Sequence, residues 1–222
     1  ATRNPRPRLN AQRTTASIIG VVVSAALLVS ASFARAAPAF DRPGIAFSTG
    51  TLPAGTFALE QGIPDFERTS HDEDSATIYS GNVRLRAGIT DSVEVQAATS
   101  LFNERRSGTD SADGRGDVSL AMKVALPSSH ETFSAAMLGA VTVANGANQF
   151  TNGATAYDLG IALGDQVNDD VAAQLYVNAN RLDGSMSLDV SPSMNFTLTQ
   201  SFAAFVEVGA TFPEHGADQV LA

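Results

Sequence analysis

From Thr56 onward apolar and polar residues alternate one by one, in runs of strand length, and nothing else in the chain constrains its fold as much. Between 185 and 198, Met186, Leu188, Val190, Met194, Phe196 and Leu198 hold even positions. Ser185, Ser187, Asp189, Ser191, Ser193, Asn195 and Thr197 hold the odd ones. Successive side chains of a strand point to opposite faces, so such a run has one oily and one wet face. A soluble sandwich would show the same alternation. The connections are what favour a barrel: they run long, short, long, short, as in outer-membrane barrels with short periplasmic turns and longer outside loops.

The pattern predicts about nine strands, at 56–63, 76–89, 93–101, 117–126, 132–143, 155–164, 171–181, 185–198 and 202–212. The long gaps are 64–75, 102–116 and 144–154; the short ones include Thr90-Asp91-Ser92, 127–131 and Asn168-Asp169-Asp170. Leu182-Asp183-Gly184 is short where a long gap is due. Pro192 has no N–H to donate, which predicts a bulge or break within 185–198. No compositional linker divides the strands, so residues 37–222 read as one domain.

One face of these strands carries Glu60, Asn82, Arg84, Arg86, Glu94, Gln96, Asp117, Lys123, Asp158, Gln174, Asn178, Asn180, Asp189, Asn195 and Glu207. A basic residue facing lipid at mid-membrane costs about 2–4 kcal/mol, and an acid somewhat less. These residues are therefore expected to face an aqueous lumen. The opposite face is almost wholly Val, Leu, Ile, Met, Phe, Ala and Gly, suited to acyl chains. A sheet in hydrocarbon has to close, because an open edge leaves backbone groups unpaired.

Residues 1–36 read as a secretory signal. Arg3 to Arg13 form a basic stretch, residues 18–29 an apolar one too short for a comfortable spanning helix, and Ala34-Arg35-Ala36 a small-x-small cleavage site. The alternative is a single anchoring helix. Residues 1–37 hold five arginines and no acid, leaving nine basic and all 23 acidic residues to the rest. So acidic a body argues against nucleic-acid binding. The absence of Cys excludes disulfides and thiolate chemistry.

Asp41-Arg42-Pro43-Gly44, Thr49-Gly50 and then residues 53–60, reading Pro-Ala-Gly-Thr-Phe-Ala-Leu-Glu, resemble the start of a bacterial family named for the meta-pathway of phenol degradation. The stretch 84–94 resembles that family's strand–turn–strand, and 116–123 is a further match. The resemblance implies a signal peptide, an outer-membrane β-barrel and passage of small aromatic or other hydrophobic molecules, and it brings no catalytic residues. Such barrels close on a terminal aromatic residue and have an even strand count. This chain ends Gln219-Val220-Leu221-Ala222 after about nine strands, which predicts a barrel of about twelve strands truncated at its C-terminus.

Arg84, Arg86 and Lys123 could form a basic ladder for organic anions such as aromatic carboxylates. The preferred reading is that the arginines pair with Glu60 and Glu94 and brace the barrel. Residues 110–117 hint at calcium, but Ala112 and Ala121 fall where an EF-hand needs ligands, so a solvated loop is favoured. His71-Asp72-Glu73-Asp74 could bridge divalent ions to lipopolysaccharide; an ordinary outer loop is the simpler reading. His71, His130 and His215 have no zinc spacing, and Gly108, Gly114 and Gly116 precede no helix that could bind phosphate.

The expectation is therefore an antiparallel transmembrane β-barrel in the outer membrane, not an enzyme, with no cofactor and no metal. It would contact membrane lipid, lipopolysaccharide and a small-molecule solute, with loops 102–116 and 144–154 filtering passage. Glu60, Arg84, Arg86, Glu94, Lys123, Asp158, Gln174, Asn178 and Glu207 are the lumen-facing candidates. The alternatives are a plugged structural or loop-binding barrel and a soluble periplasmic β-sandwich that binds a ligand.

Overall fold

The computed structural model describes residues 41, 45–62, 65–71, 74–199, 202–214 and 219–221; the expected signal at 1–36, Ile63, Asp72, Glu73 and His215 lie outside them. The described chain is an all-β antiparallel sheet curled into a half-barrel. Its strands are β1 (Phe57–Gln61), β2 (Asp65–His71), β3 (Asp74–Thr90), β4 (Val93–Ser107), β5 (Asp110–Gly114), β6 (Val118–Leu126) and β7 (Phe133–Val143). There follow β8 (Ala156–Asn168), β9 (Val171–Leu182), β10 (Ser185–Thr199), β11 (Phe202–Glu207), β12 (Gly209–Pro213) and β13 (Gln219–Leu221). Each row pairs with the next in sequence: β1 and β2 both lie on β3, β5 and β6 both on β4, and β11 and β12 both on β10. That makes nine rows, with short β13 added to β12.

The period of two fixes both faces. Phe57, Leu59, Leu85, Ile89, Leu120, Met122, Tyr157, Leu159, Met186 and Leu188 stand exposed on the outer face, with Leu59 at 70 % and Leu159 at 58 %. Arg86, Glu94, Gln96, Lys123 and Asn178 point the other way and are buried. A one-residue slip of any strand would exchange these sets, so the alternation also sets the register.

Two gaps expected to be loops are not. Between 64 and 75 the chain forms β2 and the start of β3, paired from Asp65↔Ser80 to His71↔Asp74. Between 102 and 116 it extends β4 and adds β5, paired from Asn103↔Gly114 to Ser107↔Asp110. This arm is mostly polar in sequence apart from Phe66, Ile78, Tyr79 and Phe102 and shows no regular alternation. It is fastened by its ladder, by Phe66 against Tyr79 with ring centroids 5.3 Å apart, and by Arg106 donating to Glu104 at 2.7 Å. A bulge between Gly81 and Asn82 shifts the register where the arm leaves the sheet.

Pro192 breaks neither β10 nor its pairing with β9, where it lies opposite Leu175. The consequence falls on the neighbouring row. Val208 donates to the Pro192 carbonyl at 3.1 Å, but Pro192 has no N–H to return, and regular strand structure lapses at Val208 between β11 and β12. The short connection at 183–184 is a two-residue hairpin turn with positive φ at Asp183 (48°) and Gly184 (81°), the geometry whose twist matches the flanking strands.

Loop 144–154 is held by one carboxylate. Asp117, just before β6, accepts backbone N–H groups from Asn145 (2.8 Å), Gly146 (2.7 Å) and Asn152 (2.7 Å). Burial pushes its pKa up, but these donors and the Thr151 hydroxyl outweigh that and hold it below the ordinary aspartate value of 3.8. Because the folded pKa is lowered, the hold is present above the unfolded aspartate's pKa and fades as pH falls through the lowered value. Asp117→Asn, which loses the charge and one acceptor oxygen, should speed amide hydrogen exchange at Asn145, Gly146 and Asn152 at pH 7. The wild type should loosen there only below the ordinary aspartate range; protection unchanged in the variant would refute this anchor.

Candidate functional site on the inner face

Residues 45–55 cross the inner face without joining the ladder, so their backbone groups need other partners. The inward side chains of the sheet supply them. The N–H groups of Ile45 and Ala46 donate to Glu207 Oε2 and Oε1 on β11 at 2.7 and 3.0 Å. Gln174 Nε2 on β9 donates to the Phe47 carbonyl at 2.8 Å. The hydroxyls of Thr49 and Ser134, the latter on β7, lie 2.7 Å apart. Leu52 N–H donates to Glu94 Oε2 on β4 at 2.8 Å, and Ala54 N–H to Asp91 Oδ1 in the β3–β4 turn at 3.1 Å. Gly55 N–H reaches the Gly88 carbonyl at 2.9 Å.

Phe47 anchors the middle of this segment. It is 4 % exposed and packs with Ala136, Leu138, Ala162 and Tyr176, edge-on to the Tyr176 ring at 5.1 Å. The inner face is thus not uniformly polar: β7 and β8 turn small apolar residues inward, and the segment buries them. Two glycines permit the approach. A Cβ on Gly160 would stand 2.9 Å from the Tyr176 ring and 3.0 Å from that of Phe47. A Cβ on Gly88 would lie 2.5 Å from the Leu52 carbonyl oxygen and closer still to that of Pro53.

Beside Phe47 the charges are fully enclosed. Arg86 is 1 % exposed; its Nε and Nη2 donate to Glu94 Oε1 and Oε2 at 2.7 and 2.8 Å, and its Nη1 to Glu60 Oε1 at 2.6 Å. This fork-to-carboxylate geometry is the strong form of the pair. Lys123, fully buried, donates to both Asp41 carboxylate oxygens at 2.9 Å. Asp41 also accepts from Ser48 N–H at 2.8 Å, Ser48 Oγ at 2.6 Å and Gln96 Nε2 at 2.6 Å. Gln96 Nε2 further donates to Glu94 Oε1 at 2.7 Å. Arg84 Nη1 lies 3.5 Å from the Asp41 carbonyl and 3.6 Å from its carboxylate. Among the described residues, buried Glu60 Oε2 accepts no hydrogen bond.

Of the candidates named from sequence, Glu60, Arg84, Arg86, Glu94 and Lys123 come together in this network. Glu60 and Glu94 are the acids Arg86 meets; Lys123 is taken by Asp41, whose role no alternation could reveal because it precedes the first strand. Gln174 and Glu207 hold the crossing segment. Asp158 and Asn178 stand apart: Asn178 Nδ2 donates to Asp158 Oδ1 and to Asp189 Oδ2, each at 3.2 Å. Asp117, placed from sequence on a strand face, instead holds loop 144–154. Phe47, Leu52 and Tyr176 were not singled out from the sequence. Between the segment and the sheet lies a cavity of about 160 Å³, lined by Phe47, Tyr176, Leu138 and Ala140 with Arg84 and Asp158 among its polar members.

Removing one partner of a buried ion pair strands the other charge and costs about 3–5 kcal/mol, whereas an exposed pair contributes about 0–1 kcal/mol. Lys123→Met should therefore lower the urea midpoint of the protein in detergent micelles substantially, while Arg106→Ala, from the pair with Arg106 63 % exposed, should barely move it. Equal effects would refute the enclosed network. Gly88→Ala forces its methyl into the Leu52-Pro53 backbone, an overpacking of about 1–3 kcal/mol. Limited proteolysis should then cut within 45–55 faster than in the wild type, with the strands still protected.

The family described as "Putative MetA-pathway of phenol degradation" matches this chain over residues 40–220. No curated protein matches it.

Proposed function

From the chain's membership of that phenol-degradation family, we propose that it works in the bacterial outer membrane, after loss of residues 1–36, and passes small aromatic or other hydrophobic molecules without catalysing a reaction on them. One observation carries the reading. The sheet keeps its charges on the inner face and leaves large apolar side chains exposed on the outer one: Leu59, Leu85, Leu120, Met122, Leu159 and Met186 are each 49–70 % exposed. A water-soluble protein seldom leaves so extended an apolar surface bare, whereas acyl chains cover it at no cost. Strands of 9 to 13 residues in β6, β7, β8 and β9 meet the roughly 9–11 that a tilted strand needs to span the bilayer. Lipid and lipopolysaccharide would contact this outer face, and the solute the inner one.

A second reading has its own observation. The segment 45–55 lies where a solute would pass and is fixed there by hydrogen bonds to β4, β7, β9 and β11. On that reading the barrel is plugged and its arms and loops act on the outside. Conductance separates the two. Full-length protein reconstituted in planar bilayers should conduct, and loosening the segment with Gly88→Ala should raise the unit conductance. Sealed bilayers for the wild type that open only in the variant would establish the plug. Extraction from membranes without detergent would overturn both readings.

A further inference from the structure

The two fully buried bases of the inner face find their acids in different places. Arg86 is answered from within the sheet, by Glu60 on β1 and Glu94 on β4. Lys123 on β6 is not. Glu94 Oε1 lies 3.8 Å from its Nζ and already accepts from Arg86 and Gln96. The close acid is Asp41, which belongs to no strand and holds both carboxylate oxygens 2.9 Å from Nζ. A buried ammonium is costly without a close anion, so the sheet by itself leaves a demand for a carboxylate at Lys123.

A second demand lies beside it. β7, β8 and β9 turn Ala136, Leu138, Ala162 and Tyr176 inward as a small apolar patch, and Phe47 of the crossing segment covers it. The Phe47 ring centre is 5.9 Å from the same Lys123 Nζ, within cation–π range. One ammonium is thus met by one carboxylate and one aromatic ring, and neither belongs to the sheet. Asp41 and Phe47 together present what a one-ring carboxylate would present. The segment that carries Phe47 joins no ladder, and its hydrogen bonds go mostly to side chains that water could equally satisfy. Between segment and sheet lies the cavity of about 160 Å³, near the size of one that holds benzene. It offers a ring the apolar surface of Phe47, Leu138 and Tyr176. Its charged members are Arg84 and Asp158, and a carboxylate would turn to the first.

We propose that Lys123 and this apolar patch form a binding site for one-ring carboxylates, kept filled by Asp41 and Phe47, and that an arriving aromatic acid displaces both and frees the crossing segment. The exchange is like for like. The solute's carboxylate takes the place of Asp41 on Lys123, its ring takes the place of Phe47 on Leu138 and Tyr176, and the released groups are hydrated. The apparent affinity is lowered by the small fraction of molecules whose segment is undocked, so whatever loosens the segment tightens binding. The proposal deepens the reading of the inner face as a solute path by naming the solute as an acid, and it rests on that reading only for passage.

The test uses the full chain purified in detergent at pH 7 and low salt, with hydrocinnamate, hydrocinnamyl alcohol and propanoate as probes. These carry ring and charge together, the ring alone and the charge alone. In calorimetric titration hydrocinnamate should bind at least about tenfold more tightly than either of the others. It should also speed amide hydrogen exchange at Ile45, Ala46 and Leu52, whose N–H groups the docked segment gives to Glu207 and Glu94, with exchange in β6 to β9 unchanged. Phe47→Ala removes the competing ring and should tighten hydrocinnamate binding about tenfold. Weaker binding in that variant would mean that the acid stacks on Phe47 instead of replacing it, and would overturn the proposal. Equal binding of the alcohol would overturn it too, as would exchange in 45–55 that slows or stays the same. The wild-type results decide by themselves if the variant does not fold. Binding with release of the segment in a protein that leaves bilayers sealed would refute passage and keep the site; conduction with the three probes bound alike would refute the site and keep passage.

Discussion

Everything inside this half-barrel depends on charge being neutralised where water is excluded. Taking a carboxylate or an ammonium out of water costs several kcal/mol per ion, and only a close partner with its remaining hydrogen bonds filled offsets that cost. Asp41 meets the requirement for Lys123, and Glu94 and Glu60 meet it for Arg86. Asp41 and Glu94 also receive donors from the crossing segment, Ser48 on the one and Leu52 on the other. The network therefore does two jobs with the same atoms: it holds β1, β3, β4 and β6 at one spacing, and it fixes the segment against them.

On the proposed membrane reading, two solvents explain why the apolar residues divide as they do. Outside, Leu120 and Leu159 would need only acyl chains, and the sheet leaves them uncovered. Inside, Ala136, Leu138 and Ala162 would face water unless something lay on them, and Phe47 does. The small side chains of β7 and β8 make room for that ring, and Gly160 lets it sit against Tyr176. The interior is thus half ion network and half miniature hydrophobic core, with the same short segment completing both.

The strands were legible because two faces of opposite polarity impose a period of two, and the alternation in 117–126, 171–181 and 185–198 gave faces and register together. Legibility stopped where that contrast stops. The sequence of the arm formed by β2, the start of β3, the end of β4 and β5 is mostly polar without regular alternation, so a ladder there reads as loop. Pro192 was expected to disturb its own strand, but its missing N–H is felt by the neighbour that should have received it, at Val208. The crossing segment was harder still. Phe47 and Leu52 belong to no periodic run, and only the long-range partners Glu94, Gln174 and Glu207 give the segment its path. Bracing of Arg86 by Glu60 and Glu94 was within reach, because both acids lie on neighbouring rows; Asp41 was not.

The position of the segment also decides which sign of charge the interior shows. Without Asp41, the rows from β1 to β6 would present three bases to two acids on this face, an excess that would favour anions. Asp41 removes it by sitting between Lys123 and Arg86, 3.6 Å from the latter's Nε. At the far side Ile45 and Ala46 meet Glu207 with backbone N–H groups, which are polar but uncharged. Docking the segment therefore cancels the positive half and leaves the negative half formally charged. With Arg84, Arg86 and Lys123 answered by Asp41, Glu60 and Glu94, the carboxylates of β8, β10 and β11 set the sign of the inner face.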